Sequence, residues 1–198
     1  MIADLIKQNR SCRRFKENRA VSPETLESLV DLGRLSASAA NRQPLKYILS
    51  CDPAVNAEIF PCLAWAAYLK DWPGPAEGER PSAYVVILGD TDISTEFWCD
   101  HGIAGQSILL GACEQGLAGC FIGAINREKL RSALAIPKRY QIMLVIALGE
   151  PAEKIVIDTT APDGSIRYWR DENDVHHVPK RPLKEIILKT YPEAAHRG

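Results

Sequence analysis

The sequence predicts an α+β fold in a single domain that spans residues 1–198. Two runs of β-branched and aliphatic residues, 83–89 and 140–151, are bounded by turn-forming residues and predict strands buried on both faces. Helical segments lie around these strands without a strict βαβ alternation. The chain has no internal repeat or long linker, and its 46% hydrophobic residues are enough to bury one core.

The first half of the chain predicts a helix, a strand and a second helix. Ser22 can accept hydrogen bonds from first-turn amides and Pro23 suits the first helical position, so a helix begins there. The small, polar segment SASAANRQP predicts a loop, and LKYILSC then predicts a strand. The stretch 53–72 predicts helix interrupted at Pro61, and an exposed loop rich in Pro and Gly follows it.

The second half contains a predicted helix over residues 94–116 that is apolar almost all round. Small residues lie at many angles on it: Gly102, Ala104, Gly105, Ser107, Gly111 and Ala112. Such a helix must be enclosed and is expected to bury Trp98. If a second subunit supplies part of this enclosure, the protein is a homodimer, which is the prediction. The alternative is a central helix enclosed within a monomer.

The last third predicts shorter elements around the second buried strand. AGCFIGAI predicts a short strand or loop, and a helix begins near Asn126. After the buried strand, the tail predicts a short strand, a polar turn and a final helix that follows Pro182.

Composition and motifs exclude several classes of function. A formal net charge of −1 lacks the broad basic surface of a nucleic-acid binder. The six cysteines form no C-x-x-C pair, and the adjacent His176 and His177 rarely converge on one metal, so no metal site is predicted. The sequence shows neither a signal-peptide pattern nor a run of about 18 apolar residues, so no membrane association and a cytoplasmic location are expected.

Protein-based catalytic motifs are also missing from the sequence. There is no G-x-G-x-x-G after a strand, no P-loop and no G-x-S-x-G elbow. His101 is the one histidine within a predicted helix, where a structural role is favoured. If the protein catalyses a reaction, a cofactor therefore carries the chemistry.

Two basic segments at opposite ends of the chain suit a small dianion. NRSCRRF, residues 9–15, supplies Arg10, Ser11 and Arg13, and arginine forks with a hydroxyl satisfy a phosphate monoester well. VPKRPL supplies Lys180 and Arg181 in a rigid, proline-flanked setting. Taken alone, each segment is more often a solvated surface than a binding site.

Five segments together resemble the FMN-dependent nitroreductases in the order that this family has. NRSCRRF resembles the opening R-S-x-R-x-F, and SAANRQPLKYIL resembles the S-x-x-N-x-Q-P segment before a strand. GLAGCFIGAI, IPKRYQIMLVIALGEP and VPKRPLKEII resemble later landmarks. The resemblance implies a nitroreductase-like α+β fold, with a mixed central sheet flanked by helices, in an intertwined homodimer with two FMN molecules at its interface.

The resemblance also implies which residues bind FMN. Arg10, Ser11 and Arg13 would meet the phosphate, ribityl chain and pyrimidine edge, and Lys180 and Arg181 would close on the phosphate. Ser38, Ala39 and Asn41 would approach the same flavin from the partner subunit. Ile122 and Gly123 would lie by the isoalloxazine edge, with the Gly123 N–H toward N5. The chain departs from the family pattern at Asn9, Ala37, Ala39 and Leu45.

The implied activity is that of an NAD(P)H oxidoreductase with a ping-pong cycle. NAD(P)H would deliver hydride to N5 and leave, and a nitroaromatic, quinone or similar conjugated acceptor would then take it. Trp65, Tyr68 and Trp72, at helical spacing, are candidates for a pocket wall that stacks flat molecules, and core packing is the alternative. A non-catalytic FMN-storage protein is the alternative function, and a helical interaction protein is a third interpretation.

Overall fold

A four-stranded antiparallel sheet forms the centre of the larger of two units in the structure. The structure is a computed structural model that describes residues 1–191. One unit covers Met1–Glu153 and the second begins at Lys154. The expectation of a single domain over residues 1–198 stays a prediction.

The elements number six α-helices and seven strands among residues 1–191. In chain order they are α1 (Ile2–Gln8), α2 (Pro23–Arg34), β1 (Leu45–Ser50), α3 (Pro53–Ile59), β2 (Ala83–Asp90), α4 (Asp100–Glu114), β3 (Ala118–Ile122), α5 (Arg127–Ala133), β4 (Tyr140–Gly149), β5 (Ile155–Thr159), β6 (Trp169–Arg170), β7 (His176–Lys180) and α6 (Leu183–Ile186). Short 3-10 turns cover Ala39–Asn41 and Phe60–Cys62.

The central sheet has the order β1-β2-β4-β3, and all three strand pairs are antiparallel. Every residue of β2 is buried, as the sequence predicts for a strand covered on both faces. β3 lies at one edge of the sheet. At this edge, an isolated parallel bridge joins Ser11 to Gly119 of β3. Within residues 1–191, this bridge is the parallel pairing in a sheet whose strands are otherwise antiparallel.

The hydrophobic core lies between this sheet and the helices α2 and α4. Leu26 and Leu29 of α2 and Ile108 of α4 are fully buried against β-branched residues of β2 and β4. The two helices pack closely because Gly33 leaves no side chain opposite Ile108: a Cβ at Gly33 would lie 3.2 Å from the Ile108 side chain. The buried aliphatic runs and the α2 periodicity therefore define the core.

The local signals at helix ends are confirmed. The Ser22 Oγ accepts a hydrogen bond from the Thr25 N–H at 3.2 Å, with Pro23 at the first helical position. The Asn126 Oδ1 accepts from the Lys129 N–H at 3.1 Å and begins α5. Both helices start at the predicted residue because each has its capping side chain there.

Two helix predictions are wrong in extent. The segment 53–72 is helical only as far as Ile59, followed by the 3-10 turn around Pro61, and Ala66 takes a left-handed φ of 38°. Trp65, Tyr68 and Trp72 consequently lie in irregular structure and do not share a helix face. The helix expected over 94–116 begins at Asp100, and Trp98, predicted to be buried, has a φ of 43° and is 67% exposed.

The second unit holds a three-stranded sheet of order β5-β7-β6, in which β5 runs parallel to β7 and β6 antiparallel to it. His176 and His177 lie in strand β7, not in the expected polar turn. The helix after Pro182 is present but contains four residues. Nothing in the sequence pattern predicted α1 or β5.

None of the helices between residues 1 and 191 has the length and apolar character needed to cross a membrane.

Candidate functional site

The arginine-rich segment 9–15 is an extended strip fixed against the edge of the central sheet. The Cys12 N–H donates to the Gly119 carbonyl at 3.0 Å, and the Phe15 N–H donates to the Glu79 carbonyl at 2.9 Å. Cys12 and Phe15 are fully buried, whereas Ser11 is exposed and Arg13 is half-buried. Because side chains alternate along an extended chain, buried Cys12 places its two neighbours, Ser11 and Arg13, on the opposite face.

Two arginines of this strip carry the positive charge of the candidate site. The Arg10 Nε is buried and has no hydrogen-bond partner among residues 1–191, and an Arg10 Nη donates to the Ile6 carbonyl. An Arg13 Nη donates to the Ser11 carbonyl at 3.3 Å. The Arg13 N–H donates to the Glu153 carboxylate, which fixes the backbone of the strip. The strip therefore presents guanidinium groups and a hydroxyl on an immobilised backbone.

The cysteines beside the strip are not nucleophiles. Burial raises the pKa of the Cys12 thiol well above its usual range, and it raises the pKa of the Cys120 thiol to about 12. With these raised pKa values both thiols remain protonated at neutral pH, and since only a thiolate is nucleophilic, neither is reactive. This agrees with a site whose chemistry is not supplied by a protein nucleophile.

The backbone is open just after the end of β3, a few residues beyond the point where β3 pairs with the strip. Ile122 is buried, whereas Gly123 is exposed, and a Cβ at Gly123 would meet only the Leu144 Cδ2 atom, at 3.7 Å. Gly123 thus leaves free space beside its backbone. A planar group can approach the backbone closely at such a position.

The candidate pocket wall starts directly beside the end of β3. Leu63 forms an isolated bridge with Ile125, and the Ala64 N–H donates to the Ala124 carbonyl at 2.9 Å. Trp65 is only 9% exposed and contacts Gly74, where a Cβ would lie 2.7 Å from the indole. Its neighbours indicate core packing for Trp65.

The other two aromatic residues of the candidate wall are more accessible. Tyr68 is 45% exposed, and Trp72 is half-buried. Tyr68 is therefore the most exposed member of the trio.

A second cluster, the loop 38–43, is fixed by a buried aspartate. The Ser38 Oγ donates to the Asp100 Oδ2 at 2.6 Å, and the Ala39 N–H donates to the Asp100 Oδ1 at 3.0 Å. The Ser38 Oγ also accepts from the Gln43 N–H at 2.9 Å. Asn41 has a left-handed φ of 53°, and its side-chain oxygen accepts from the Gln43 amide at 3.0 Å.

The strip and the loop 38–43 lie at opposite ends of α4. Asp100 is the first residue of α4, whereas Cys113, one residue before its end, contacts the Leu5 carbonyl and the Gln8 side chain of α1. Fifteen helical residues correspond to about 22 Å. Within one chain, the structure therefore does not bring Ser38, Ala39 and Asn41 to the arginines.

A cavity of about 470 Å³ opens beside the loop 38–43, between α2, β1 and α4. Apolar residues of all three elements line it, together with these polar residues: Arg34, Ser36, Ser38, Gln43, Lys46, Tyr47 and Asp100. Burial, together with the nearby Asp100 charge, raises the pKa of Tyr47, so its hydroxyl stays protonated. The cavity is of a size that accommodates part of a small organic molecule.

Lys180 and Arg181 belong to the second unit, at the end of β7. Arg181 forms an ion pair with Glu185, with 3.7 Å between nitrogen and oxygen. The Lys180 carbonyl accepts from the Thr160 N–H at 3.2 Å. Their proposed contact with a phosphate stays a prediction.

Sequence reasoning missed two residues that position this site. Asp100 was placed inside a longer helix, where its link to Ser38 has no sequence signal. Gly119 has no local sequence signal for its role, yet a Cβ there would lie 2.4 Å from the Ala147 carbonyl oxygen. Both depend on contacts between residues far apart in the chain. His101 lies in α4 as expected, but its buried Nδ1 has no hydrogen-bond partner among the described residues.

His177 joins all three strands of the second unit. Its Nδ1 lies 2.7 Å from the Asp158 Oδ2, its Nε2 lies 3.3 Å from the Asp171 Oδ2, and its ring stacks on Trp169 with 4.1 Å between centroids. Both contacts are hydrogen bonds only when the ring is protonated, because neutral imidazole has one N–H. No group of three or more metal-ligating side chains occurs within residues 1–191.

Protonated His177 is expected to stabilise the second unit. Partial burial lowers the pKa of His177, but the hydrogen bonds to Asp158 and Asp171 outweigh it, so the pKa is raised above 6.5. The stabilisation is fully present below the unfolded-state pKa and is lost as the pH rises through the raised folded-state pKa. We expect His177→Gln to lower the free energy of unfolding more at about pH 6 than at about pH 9.

Urea titrations of the parent and His177→Gln proteins across this range measure the effect. Trp169→Phe, which keeps an aromatic ring but leaves both carboxylates in place, serves as the control and should retain the pH dependence. An equal loss of stability for His177→Gln at both pH values would contradict this assignment.

Comparison with known proteins identifies one family profile and relatives whose descriptions agree with it. The profile of the nitroreductase family matches residues 6–81 and 79–150. A protein of Methanothermobacter thermautotrophicus, described as an NADH dehydrogenase/NAD(P)H nitroreductase, is 29% identical over 161 residues, which cover 77% of this chain and 78% of the relative. The oxygen-insensitive NADPH nitroreductase of Salmonella typhimurium is 24% identical over 201 residues, which cover 96% and 79% of the two chains.

A solved structure shows the same fold. A protein from Desulfovibrio desulfuricans, described as a nitroreductase in complex with FMN, superposes with a TM-score of 0.69 at 24% identity and covers 96% of each chain. The α+β fold of the present chain is therefore that of these proteins.

Proposed function

Because the chain belongs to the nitroreductase family, we propose that it is an FMN-dependent NAD(P)H oxidoreductase that reduces a nitroaromatic, quinone or similar conjugated acceptor. The observation that carries this proposal is the immobilised strip of Arg10, Ser11 and Arg13 on the same sheet edge as the open backbone at Gly123. A flavin mononucleotide offers a dianion for the strip and a flat ring for the glycine.

The residues present suit FMN on two counts. The buried Arg10 Nε, which lacks a hydrogen-bond partner in the described part of the chain, can donate to a phosphate oxygen that no other group here supplies. The exposed Ser11 adds a hydroxyl, and the open space at Gly123 admits a planar ring edge. A neutral, compact ligand would leave the buried Arg10 Nε without an acceptor, which is unfavourable, and would leave the space at Gly123 unfilled.

The chain's own groups bind and orient, whereas FMN, when bound, supplies the hydride chemistry through N5 in a ping-pong exchange between NAD(P)H and the acceptor. Arg10 would neutralise phosphate charge, and Arg13 would supply positive charge at the pyrimidine edge. The Gly123 N–H would be available as a hydrogen-bond donor to the flavin ring. The protonated Cys12 and Cys120 thiols would take no part, so proton and hydride transfer would involve the bound small molecules.

The site is shared between two subunits in this proposal. Ser38, Ala39 and Asn41 lie a full helix length from the strip in one chain, so they can serve a flavin on that strip only from a partner. Exposed apolar side chains of α2 and α4, including Leu32 at 40% and Ile103 at 39%, offer a surface for such a partner. A homodimer with two FMN sites satisfies both observations.

Mixed dimers test the shared site. Subunits carrying Arg10→Ala are refolded together with subunits carrying Ser38→Ala plus Asn41→Ala, and the heterodimer is isolated with two affinity tags. One of its two sites then combines an intact strip with an intact loop, so we expect tight FMN binding at half the sites. Two equally weakened sites would show that strip and loop of the same chain act together.

Tyr68 is expected to affect the acceptor more than FMN. We expect Tyr68→Ala to raise the KM for menadione about three- to tenfold while the Kd for FMN stays unchanged, because a lost stacking contact is worth about 0.5–1.5 kcal/mol. Tyr68→Phe keeps the ring and should behave as the parent does. A changed Kd for FMN with an unchanged KM would place Tyr68 at the flavin instead of the acceptor.

Steady-state oxidation of NADH and NADPH in the presence of nitrofurazone or menadione tests the activity. Parallel double-reciprocal lines are expected for a ping-pong cycle. Stoichiometric FMN without turnover by any donor and acceptor pair would favour the alternative function, storage of FMN.

A further inference from the structure

Asp100 is the charged residue that fixes the loop 38–43. It is only 3% exposed, and its two carboxylate oxygens each accept a hydrogen bond from that loop, one from the Ser38 hydroxyl at 2.6 Å and one from the Ala39 N–H at 3.0 Å. A buried carboxylate is costly unless it is hydrogen-bonded, so these two bonds are held strongly.

The loop needs such a fixed point because its backbone is strained. Ala40, Asn41 and Gln43 all take left-handed φ angles, of 50°, 53° and 50°. Three non-glycine residues in this region cost free energy that surrounding contacts must offset. The bonds to Asp100 and the bond from the Gln43 N–H to Ser38 are among the contacts that hold this conformation, and the two to Asp100 tie the loop to α4.

The arrangement also changes the role of Ser38. Its hydroxyl proton is directed to Asp100, and its oxygen accepts from the Gln43 N–H, so Ser38 has little capacity left to donate to a ligand. Asn41 projects from the part of the loop that these bonds shape. The loop's contact with a flavin therefore passes through Asn41 and the backbone, whereas Ser38 transmits the hold of Asp100.

We propose that Asp100 is a positioning residue for FMN binding, which sets the conformation of the loop 38–43 that one subunit contributes to the site of the other. This inference rests on the proposed function. Asp100 itself does not contact FMN and acts through Ser38 and Ala39.

The test compares Asp100→Asn with the parent. An asparagine keeps the side-chain shape but has one acceptor oxygen in place of two, so one of the two loop donors loses its partner. We expect the Kd for FMN to rise about tenfold, and the visible circular dichroism of the FMN that is bound to change. Hydrogen exchange at the Ala39 and Gln43 amides of the FMN-free protein should accelerate.

Two further variants separate positioning from general destabilisation. Asp31→Asn removes the same charge from an exposed ion pair with Arg34 on α2 and should leave the Kd, the dichroism and the loop exchange as in the parent. Ser38→Ala should weaken FMN binding to a similar extent, and combining it with Asp100→Asn should add little, because both act through one loop.

The outcomes distinguish this inference from the proposed function. If the parent binds FMN and Asp100→Asn binds it within twofold while loop exchange rises, the loop does not position the flavin and the inference is overturned. If the parent itself fails to bind FMN, the proposed function fails, and the inference fails with it. Weaker binding in Asp31→Asn equal to that in Asp100→Asn would show a general charge effect and would also overturn the inference.

Discussion

Replacing Arg10 by alanine is expected to weaken FMN binding by about 100-fold, because a charge-assisted hydrogen bond to a phosphate is worth about 2–3 kcal/mol. The Arg10 Nε is buried without a hydrogen-bond partner among residues 1–191, so in the proposed site it would donate to the FMN phosphate. Fluorescence titration of FMN into the FMN-free variant measures the Kd.

Arg19→Ala is the matched control for this result. Arg19 lies nine residues further along the chain, is largely exposed and faces Glu150 at 3.7 Å, so its removal changes the net charge equally and leaves the strip intact. We expect its Kd for FMN to stay within about twofold of the parent. Equal Kd values for Arg10→Ala and the parent would show that the phosphate lies elsewhere.

The second large effect concerns Gly119, where β3 meets the arginine-rich strip. An added Cβ would lie 2.4 Å from the Ala147 carbonyl oxygen and within 3 Å of the Leu148 and Leu109 side chains. The first of these contacts is with backbone of the neighbouring strand, which cannot move aside without breaking sheet pairing. We expect Gly119→Ala to lower the free energy of unfolding by about 3 kcal/mol or more.

Gly123→Ala, one residue beyond the end of β3, provides the comparison. Its Cβ would meet only Leu144 at an ordinary 3.7 Å, so the free energy of unfolding of the FMN-free protein should change by less than about 1 kcal/mol. Chemical denaturation followed by circular dichroism measures both variants. Similar stabilities for the two would mean that the packing of β3 on β4 is looser than the structure indicates.

Elements with local signals could be predicted from the sequence. The buried strands β2 and β4 have continuous aliphatic runs, and α2 and α5 begin at capping side chains, so neighbours in sequence determine them. Helix α3 ends before Pro61, where an interruption is predicted, but it does not resume because Ala66 is left-handed, and no periodicity indicates a left-handed residue at an alanine. Trp98 is likewise left-handed, with a φ of 43°, so it lies outside α4 and is exposed instead of buried in the helix.

The candidate site was predictable in residue type but not in arrangement. Arg10, Ser11 and Arg13 could be selected because guanidinium and hydroxyl groups match a phosphate. Two contacts determine the arrangement: the Cys12 N–H donates to the Gly119 carbonyl, and the Ser38 hydroxyl donates to Asp100. Each joins residues that are 60 or more positions apart. Such contacts arise from the packing of α4 and β3, and one sequence contains no signal for them.

The most direct measurement of the central claim is the FMN content of the purified chain after incubation with excess FMN and removal of the unbound portion. The account predicts a yellow protein with one FMN per chain, and Arg10→Ala prepared in parallel should lose most of this colour. A colourless parent protein that remains so at every FMN concentration would contradict the account.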